Sequence, residues 1–292
     1  MTLKVAAAQT ESIPGDPSVN LDKHLDYIHK AREAGIDVLL FPEMSLTGHS
    51  AGTETLDVSR HREDGIVQQL ADASGEMCTV FGLIEEGPAA QFYNSSIAVR
   101  QGKRLFLHRK VNLATYGNLE DGKHFAPGRY VDTFPAHPSD AKWRGSILIC
   151  ADLWNPPLVH LAALHGATVM FAPISSAVEA VGGDFDNPAG WDIAARFYGM
   201  TYGMPLVMTN RVGREGKLSF WGGSRIIDPF GRILAQAGNS EELITAELDY
   251  DRIRKARYLL PTVRDSNLSL LLREGHRLAD LVGVPESLNR HP

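Results

Sequence analysis

A chain of 292 residues with 43% hydrophobic and 22% charged residues has the make-up of an ordinary globular protein, long enough to bury a substantial core. Its net charge of −6, with no basic run, argues against a nucleic-acid partner. Two cysteines, Cys78 and Cys150, are too few for a disulfide framework and point to a reducing compartment, with the cytoplasm as the expected location. No run approaches the ~18 consecutive apolar residues of a membrane span, so no membrane partner is expected. The short apolar N-terminus soon turns polar, as a first strand does and a signal peptide does not.

In chain order, the pattern predicts a strand over 5–9 and a helix from an N-cap at Ser18 to about 34, stopped by Gly35. A nearly unbroken apolar strand over 36–41 ends at Pro42. A helix over 65–73 and a strand over 77–84 follow, and then two strands, 93–100 and 103–108, flank the turn Gln101-Gly102. Residues 110–128 show no period and form a long loop of the kind that is usually functional. Beyond a strand over 130–134, a buried strand over 146–149 delivers Cys150 at its end. Pro156-Pro157 opens a helix, since proline is tolerated at the first helical position. A strand over 168–172, a helix over 191–202 and strands over 206–209, 224–227, 233–236 and 243–248 complete the body. Leu268, Leu270, Leu271, Leu272, Leu278 and Leu281 give the tail more apolar surface than a solvated segment needs.

Two stretches echo one another. Gly35-Ile36-Asp37-Val38-Leu39-Leu40-Phe41-Pro42 and Gly166-Ala167-Thr168-Val169-Met170-Phe171-Ala172-Pro173 share a glycine, a valine three on and a proline seven on. Each follows a helix, which suggests two similar α/β halves. With no linker between them, residues 1–265 form one domain, and 266–292 form a tail that packs on the body or on a neighbouring subunit.

Three residues occupy the same kind of place. Glu43 follows one strand, Lys110 another, and Cys150 ends a third, so all three can converge at one sheet edge, where open α/β sheets bind ligands. Singly each has a dull reading: Glu and Lys are mostly surface residues, and a free cysteine is usually core. Together a carboxylate can take a thiol proton, the thiolate can attack a carbonyl or nitrile carbon, and an ammonium can stabilise the oxyanion. Eleven histidines are present, but none has zinc-motif spacing beyond chance; His24 and His29 are expected to face solvent.

These residues resemble the Glu–Lys–Cys triad of the carbon–nitrogen hydrolase, or nitrilase, superfamily, and the resemblance runs along nearly the whole chain. It is carried by Leu39-Leu40-Phe41-Pro42-Glu43-Met44-Ser45-Leu46-Thr47-Gly48, by His108-Arg109-Lys110-Val111-Asn112-Leu113 running on through Tyr116-Gly117 to Phe125-Ala126-Pro127-Gly128, and by Ile149-Cys150-Ala151-Asp152-Leu153-Trp154. Asn210-Arg211-Val212-Gly213 and the stretch from Gly223 to Gly231 add to it. The resemblance implies an α/β fold, a four-layer αββα sandwich, working without metal or cofactor on a small-molecule amide, carbamoyl or nitrile substrate. It implies Glu43 as general base, Cys150 as the nucleophile forming a thioester, and Lys110 with the backbone N–H of Ala151 as the oxyanion site. Glu120 matches a second glutamate that family members often carry, and its neighbour Asp121 leaves the register open by one residue. Tyr116, Trp154, Ser175, Ser176 and Trp191 are candidate pocket residues.

Departures refine the expectation. Ala151 stands where the family usually has an aromatic residue, and Asp152 resembles the amidase and carbamoylase side where nitrilases tend to carry glutamate. The expected activity is hydrolysis of a non-peptide C–N bond with release of ammonia. The alternatives are a nitrilase forming acid and ammonia, or a non-catalytic or redox-sensing member. A homodimer or higher homo-oligomer is expected from the apolar tail together with family habit.

Overall fold

The computed structural model describes residues 2–49 and 54–283. In chain order the elements are β1 (Thr2–Gln9), α1 (Pro17–Glu33), β2 (Val38–Leu40), α2 (Thr55–Val58), α3 (Gly65–Ser74), β3 (Cys78–Gly87), β4 (Gln91–Arg100), β5 (Lys103–Arg109), α4 (Asp121–His124), β6 (Phe134–Pro135), β7 (Arg144–Ile147), α5 (Pro156–Leu164), β8 (Val169–Ile174), α6 (Asn187–Thr201), β9 (Leu206–Asn210), β10 (Val212–Glu215), β11 (Leu218–Trp221), β12 (Arg225–Ile227), β13 (Ile233–Gln236), β14 (Glu242–Asp249), α7 (Tyr250–Leu259) and α8 (Leu268–Val282).

Two six-stranded sheets carry the fold, ordered β14-β1-β2-β3-β4-β5 and β13-β12-β9-β8-β7-β6. Each has three parallel strands at its heart, β1-β2-β3 in one and β7-β8-β9 in the other, flanked by antiparallel strands. The sequence echo falls on β2 and β8, the middle parallel strands of the two sheets. Period-2 alternation explains the layering. Val5, Ala7, Val38, Leu40 and Val80 point into one core shared with Val169, Phe171, Val207 and Ile226 of the second sheet. Their neighbours Ala6, Ala8, Leu39, Phe41 and Phe81 face the opposite way and pack with Leu21, Ile28 and Leu70 of the helices α1 and α3. With Val159 of α5 and Trp191 and Ala195 of α6 in the shared core on the far side of the second sheet, the layers read α-β-β-α.

Several local expectations shift. The cap of α1 is Asp16, whose carboxylate accepts from Val19 N at 3.1 Å, with Pro17 at the first helical position; Ser18 instead bonds Asp16. His24 is not solvent-facing but 2% exposed, stacked on Phe41 at 4.1 Å between ring centroids. The predicted strand over 130–134 shrinks to Phe134–Pro135. The strand before Cys150 ends at Ile147, and Cys150 opens a one-and-a-half-turn 3-10 segment, Cys150–Trp154. The hairpin β10–β11 and the helices α7 and α8 were not among the predicted elements, although the leucines of α8 recur at helical spacing. Helix α8 buries no residue, so its leucines do not pack into the body; residues 284–292 of the expected tail lie outside the described residues. Among the described residues no helix is long and apolar enough to cross a membrane.

Candidate active site

Glu43 is held in a turn that only a glycine neighbour permits. A Cβ on Gly82 of β3 would lie 2.3 Å from Met44 N, and Met44 itself takes φ 50. That close approach lets Leu46 N bond Gly82 O at 2.9 Å and sets the Glu43 carboxylate at the end of the sheet. Behind it, the buried His24 bonds Asn20 O through Nδ1 at 2.6 Å, so its Nε2 accepts from the Ser45 hydroxyl at 2.9 Å.

Lys110 follows β5 and is 1% exposed. Its Nζ donates to Glu43 Oε1 at 2.7 Å and to Asp121 Oδ2 at 2.6 Å. An isolated buried ammonium would shed its proton. Here burial does oppose the charge, but Glu43 and Asp121 outweigh it and hold the Lys110 pKa well above the usual lysine range. Burial likewise opposes the Asp121 carboxylate, and Lys110, with His49 next, brings its pKa below the ordinary aspartate value. Asn94 of β4 donates to the same Glu43 Oε1 at 2.7 Å, whereas Glu43 Oε2 is buried with no partner among the described residues.

Cys150 completes the cluster. It is 8% exposed and takes φ 45, a left-handed conformation costly for a residue with a Cβ. Burial pushes its thiol pKa well up and the Glu43 charge adds to this; Lys110 and the Ser175 backbone pull the other way without prevailing. A thiol whose pKa is raised thus shares its buried surroundings with a carboxylate whose Oε2 has no hydrogen-bond partner among the described residues.

A fourth buried group fixes the geometry. Asp152 Oδ1 accepts from Val111 N at 2.9 Å and Asn112 N at 2.8 Å, and Oδ2 accepts from Ile149 N at 3.0 Å and His108 Nε2 at 2.9 Å. One carboxylate thus ties the segment around Lys110 to the turn that presents Cys150.

The second carboxylate on the lysine is Asp121, not Glu120. Glu120 is exposed and pairs with Lys123 at 2.6 Å, because the short helix α4 turns Asp121 inward, where its N–H bonds Ala114 O at 3.0 Å. Ser175 stands at Cys150 with its Oγ buried and unpartnered, and the Tyr116 hydroxyl has its pKa raised by burial and then by Cys150. Ala151 is buried next to the thiol. Trp191 does not line an open surface: it is 1% exposed and its indole N–H bonds Ser176 Oγ at 2.9 Å, which also accepts from Asn187. Trp154 packs against Trp191 with ring centroids 4.6 Å apart and planes tilted by 53°, and it meets Phe185 edge-on at 6.0 Å. Asn94 is a functional candidate missed from sequence, whereas Asp121 was the open alternative to Glu120. The break in strand alternation at Asn94-Ser95-Ser96, three buried polar residues in succession, was the available signal for Asn94.

An αββα sandwich with a buried carboxylate, ammonium and thiol gathered at one edge defines a nitrilase-type hydrolase class. Residues 4–258 match the family profile described as carbon-nitrogen hydrolase, and the chain belongs to that family of enzymes. It is 32% identical over 279 residues to an (R)-stereoselective amidase of a Pseudomonas species, covering 92% of this chain and 93% of that one. It is 27% identical over 259 residues to the glutamine-dependent NAD(+) synthetase of Thermotoga maritima; the match takes in 85% of this chain but spans only 42% of the synthetase. A solved glutamate-to-glutamine mutant of the amidase from Nesterenkonia sp. AN1 superposes with TM-score 0.76 at 25% identity, over 92% of this chain and 95% of that one. That structure shows covalent addition of the acetamide moiety of fluoroacetamide at the active site cysteine.

Proposed function

We propose that this chain hydrolyses the C–N bond of a small amide or N-carbamoyl compound through a thioester on Cys150, releasing ammonia. The observation that carries the mechanism is Glu43 Oε2, buried and unpartnered, on a carboxylate whose charge adds to burial in raising the pKa of the Cys150 thiol. A protonated thiol needs a base, and this oxygen is free to act as one. Glu43 takes the Cys150 proton as sulfur attacks the carbonyl carbon. Lys110, with the Ala151 backbone N–H, stabilises the tetrahedral oxyanion. Collapse expels the amine, protonated by Glu43, and water activated by the same carboxylate then cleaves the thioester. Asp121 holds the Lys110 ammonium charged and aimed, and Tyr116 and Ser175 border the substrate.

The amidase likeness at 32% identity and the cysteine adduct of the Nesterenkonia amidase support an amide over a nitrile. A redox-sensing role fits poorly, since sensor thiols have low pKa values and are solvent-accessible, whereas this one is buried with a raised pKa. Ammonia release across a panel of amides, N-carbamoyl amines and nitriles, with Cys150→Ala as blank, tests the reading. Turnover of nitriles alone, or turnover that survives Cys150→Ala, would sink it.

We further propose a homo-oligomer. Leu271, Leu272, Leu278 and Leu281 of α8 and Ile193 and Phe197 of α6 are 49–70% exposed, more apolar surface than a monomer usually leaves in water.

A further inference from the structure

A second pocket, containing none of Glu43, Lys110, Asp121 or Cys150, opens beside β5. It encloses about 540 Å³, within the range of small-molecule sites. Three guanidinium groups line it, those of Arg62, Arg109 and Arg129, in a chain whose net charge is −6. Arg109 is already neutralised: its Nε and Nη2 donate to the buried Glu85 at 2.8 and 2.7 Å, and it stacks over the Tyr93 ring at 3.7 Å. Nothing comparable serves the other two. Among the described residues Arg62 and Arg129 make no ion pair within 4 Å, and Arg62 Nε is buried without a hydrogen-bond partner. Three guanidinium groups thus face one buried carboxylate, Glu85, where burial opposes the charge but Arg109 and more weakly Arg62 lower the pKa, so the pocket keeps an excess of positive charge.

Its walls are built rather than loose. The Arg62 loop is pinned to β3 by Arg60 N to Ile84 O at 2.9 Å and Glu86 N to Arg60 O at 3.1 Å. The opposite wall is pinned by Ala126 N to Phe92 O at 2.8 Å and Gly128 N to Lys110 O at 2.7 Å. A Cβ on Gly128 would lie 2.0 Å from Arg109 O, so this loop presses directly on β5. An adjoining depression shares Arg62 and adds Glu63, Lys103 and Arg104. Exposed Lys and Arg on an edge strand commonly serve to deter pairing with other strands, and that accounts for Lys103 and Arg104. It does not account for Arg62 and Arg129, which stand on loops.

We propose that this pocket binds the phosphate monoester of a small organic molecule. A phosphate monoester carries ≈ −1.5 to −2 at pH 7, which matches the excess of guanidinium over carboxylate charge in the pocket. The volume exceeds what bare phosphate needs, and Tyr93, Leu107, Pro127 and the 82% exposed Tyr130 offer apolar walls for the organic part.

Calorimetric titration of the full chain in phosphate-free buffer, with phenyl phosphate, inorganic phosphate and phenol as probes, tests this. Phenyl phosphate is expected to bind one to one, at least about tenfold tighter than inorganic phosphate. Arg62→Met and Arg129→Glu should each weaken it by about tenfold or more, while Cys150→Ala leaves it unchanged. Arg129 is exposed, so its substitution does not endanger folding. Absence of binding, or affinity indifferent to both arginine variants, overturns the proposal. Equal affinity for inorganic phosphate overturns the assignment of an organic ester, and loss of binding in Cys150→Ala places the ligand in the other cleft.

Discussion

Lys110 Nζ stands 2.6 Å from Asp121 Oδ2 and 2.7 Å from Glu43 Oε1, so one buried ammonium is shared between two carboxylates. Glu43 also keeps its Oε2 buried and without a hydrogen-bond partner among the described residues. On the proposed mechanism the arrangement divides labour: Asp121 fixes the charge of the lysine, and Glu43 is left to move protons. Asp121→Asn should keep the shape but lose one of the two charges holding Lys110. We expect kcat/KM for amide hydrolysis to fall by the order of 10²-fold, while Glu120→Gln stays within about twofold of wild type. Steady-state ammonia release from the two variants decides between them; equal effects would return the role to Glu120.

The next prediction separates the two thiols. Burial raises the Cys78 thiol to about 12, despite Arg100 beside it, and Cys78 is 0% exposed, so alkylating reagents should not reach it as a thiolate. Cys150 has a raised pKa too, but it has Glu43 to take its proton. Iodoacetamide should therefore label Cys150 alone, and Glu43→Gln should slow that labelling at least about tenfold with little change in melting temperature. Mass spectrometry of the labelled peptides gives the answer, and equal labelling of Cys78 and Cys150 would remove the case for an activated nucleophile.

What the sequence made legible follows from where each signal resides. Glu43, Lys110 and Cys150 were readable because each adjoins an apolar strand, and strand ends at one sheet edge converge. Two similar α/β halves were readable from the repeated glycine–valine–proline spacing of β2 and β8, while their pairing as a sandwich came from the family resemblance. Asp121 was displaced by one residue because a four-residue helix in a long loop decides which of two adjacent carboxylates turns inward, and no periodicity marks so short an element. The anchoring by Asp152 was invisible for another reason: its donors are backbone N–H groups of Val111, Asn112 and Ile149, which any residue supplies. The burial of His24 was hidden because its partners, Asn20 O and Ser45, are polar, so the apolar pattern of α1 does not include it.

Asp152 should accordingly matter more to stability than a charged residue usually does. Asp152→Ala leaves three buried N–H donors and His108 without their acceptor, and leaving buried donors unpaired or splitting a buried pair costs about 3–5 kcal/mol. Urea denaturation should show a loss of that size. In the milder Asp152→Asn, one oxygen remains to accept from Val111 and Asn112 while the amide faces the other donors. We expect that variant to fold with a lower kcat and a KM near wild type, because it disturbs the placement of Lys110 against Cys150. Unchanged kcat in a stably folded Asp152→Asn would refute the positioning role.

The last prediction concerns acid. Burial lowers the His24 pKa to about 4 from an ordinary 6.5, the Asn20 carbonyl opposing and Lys23 assisting. Below 6.5 the unfolded chain binds a proton at this position that the folded chain refuses, so the unfolded state is favoured as pH falls. The loss begins near pH 6.5 and is complete near pH 4, where the folded ring also protonates. A shift of that size corresponds to about 3 kcal/mol as an upper figure. Urea titrations at pH 7.5 and 5.0 should therefore give a midpoint that falls in wild type. His24→Gln starts less stable, having lost the ring that stacks on Phe41, but its midpoint should fall less between the two pH values. An equal fall in both proteins would show that other groups govern the acid limb.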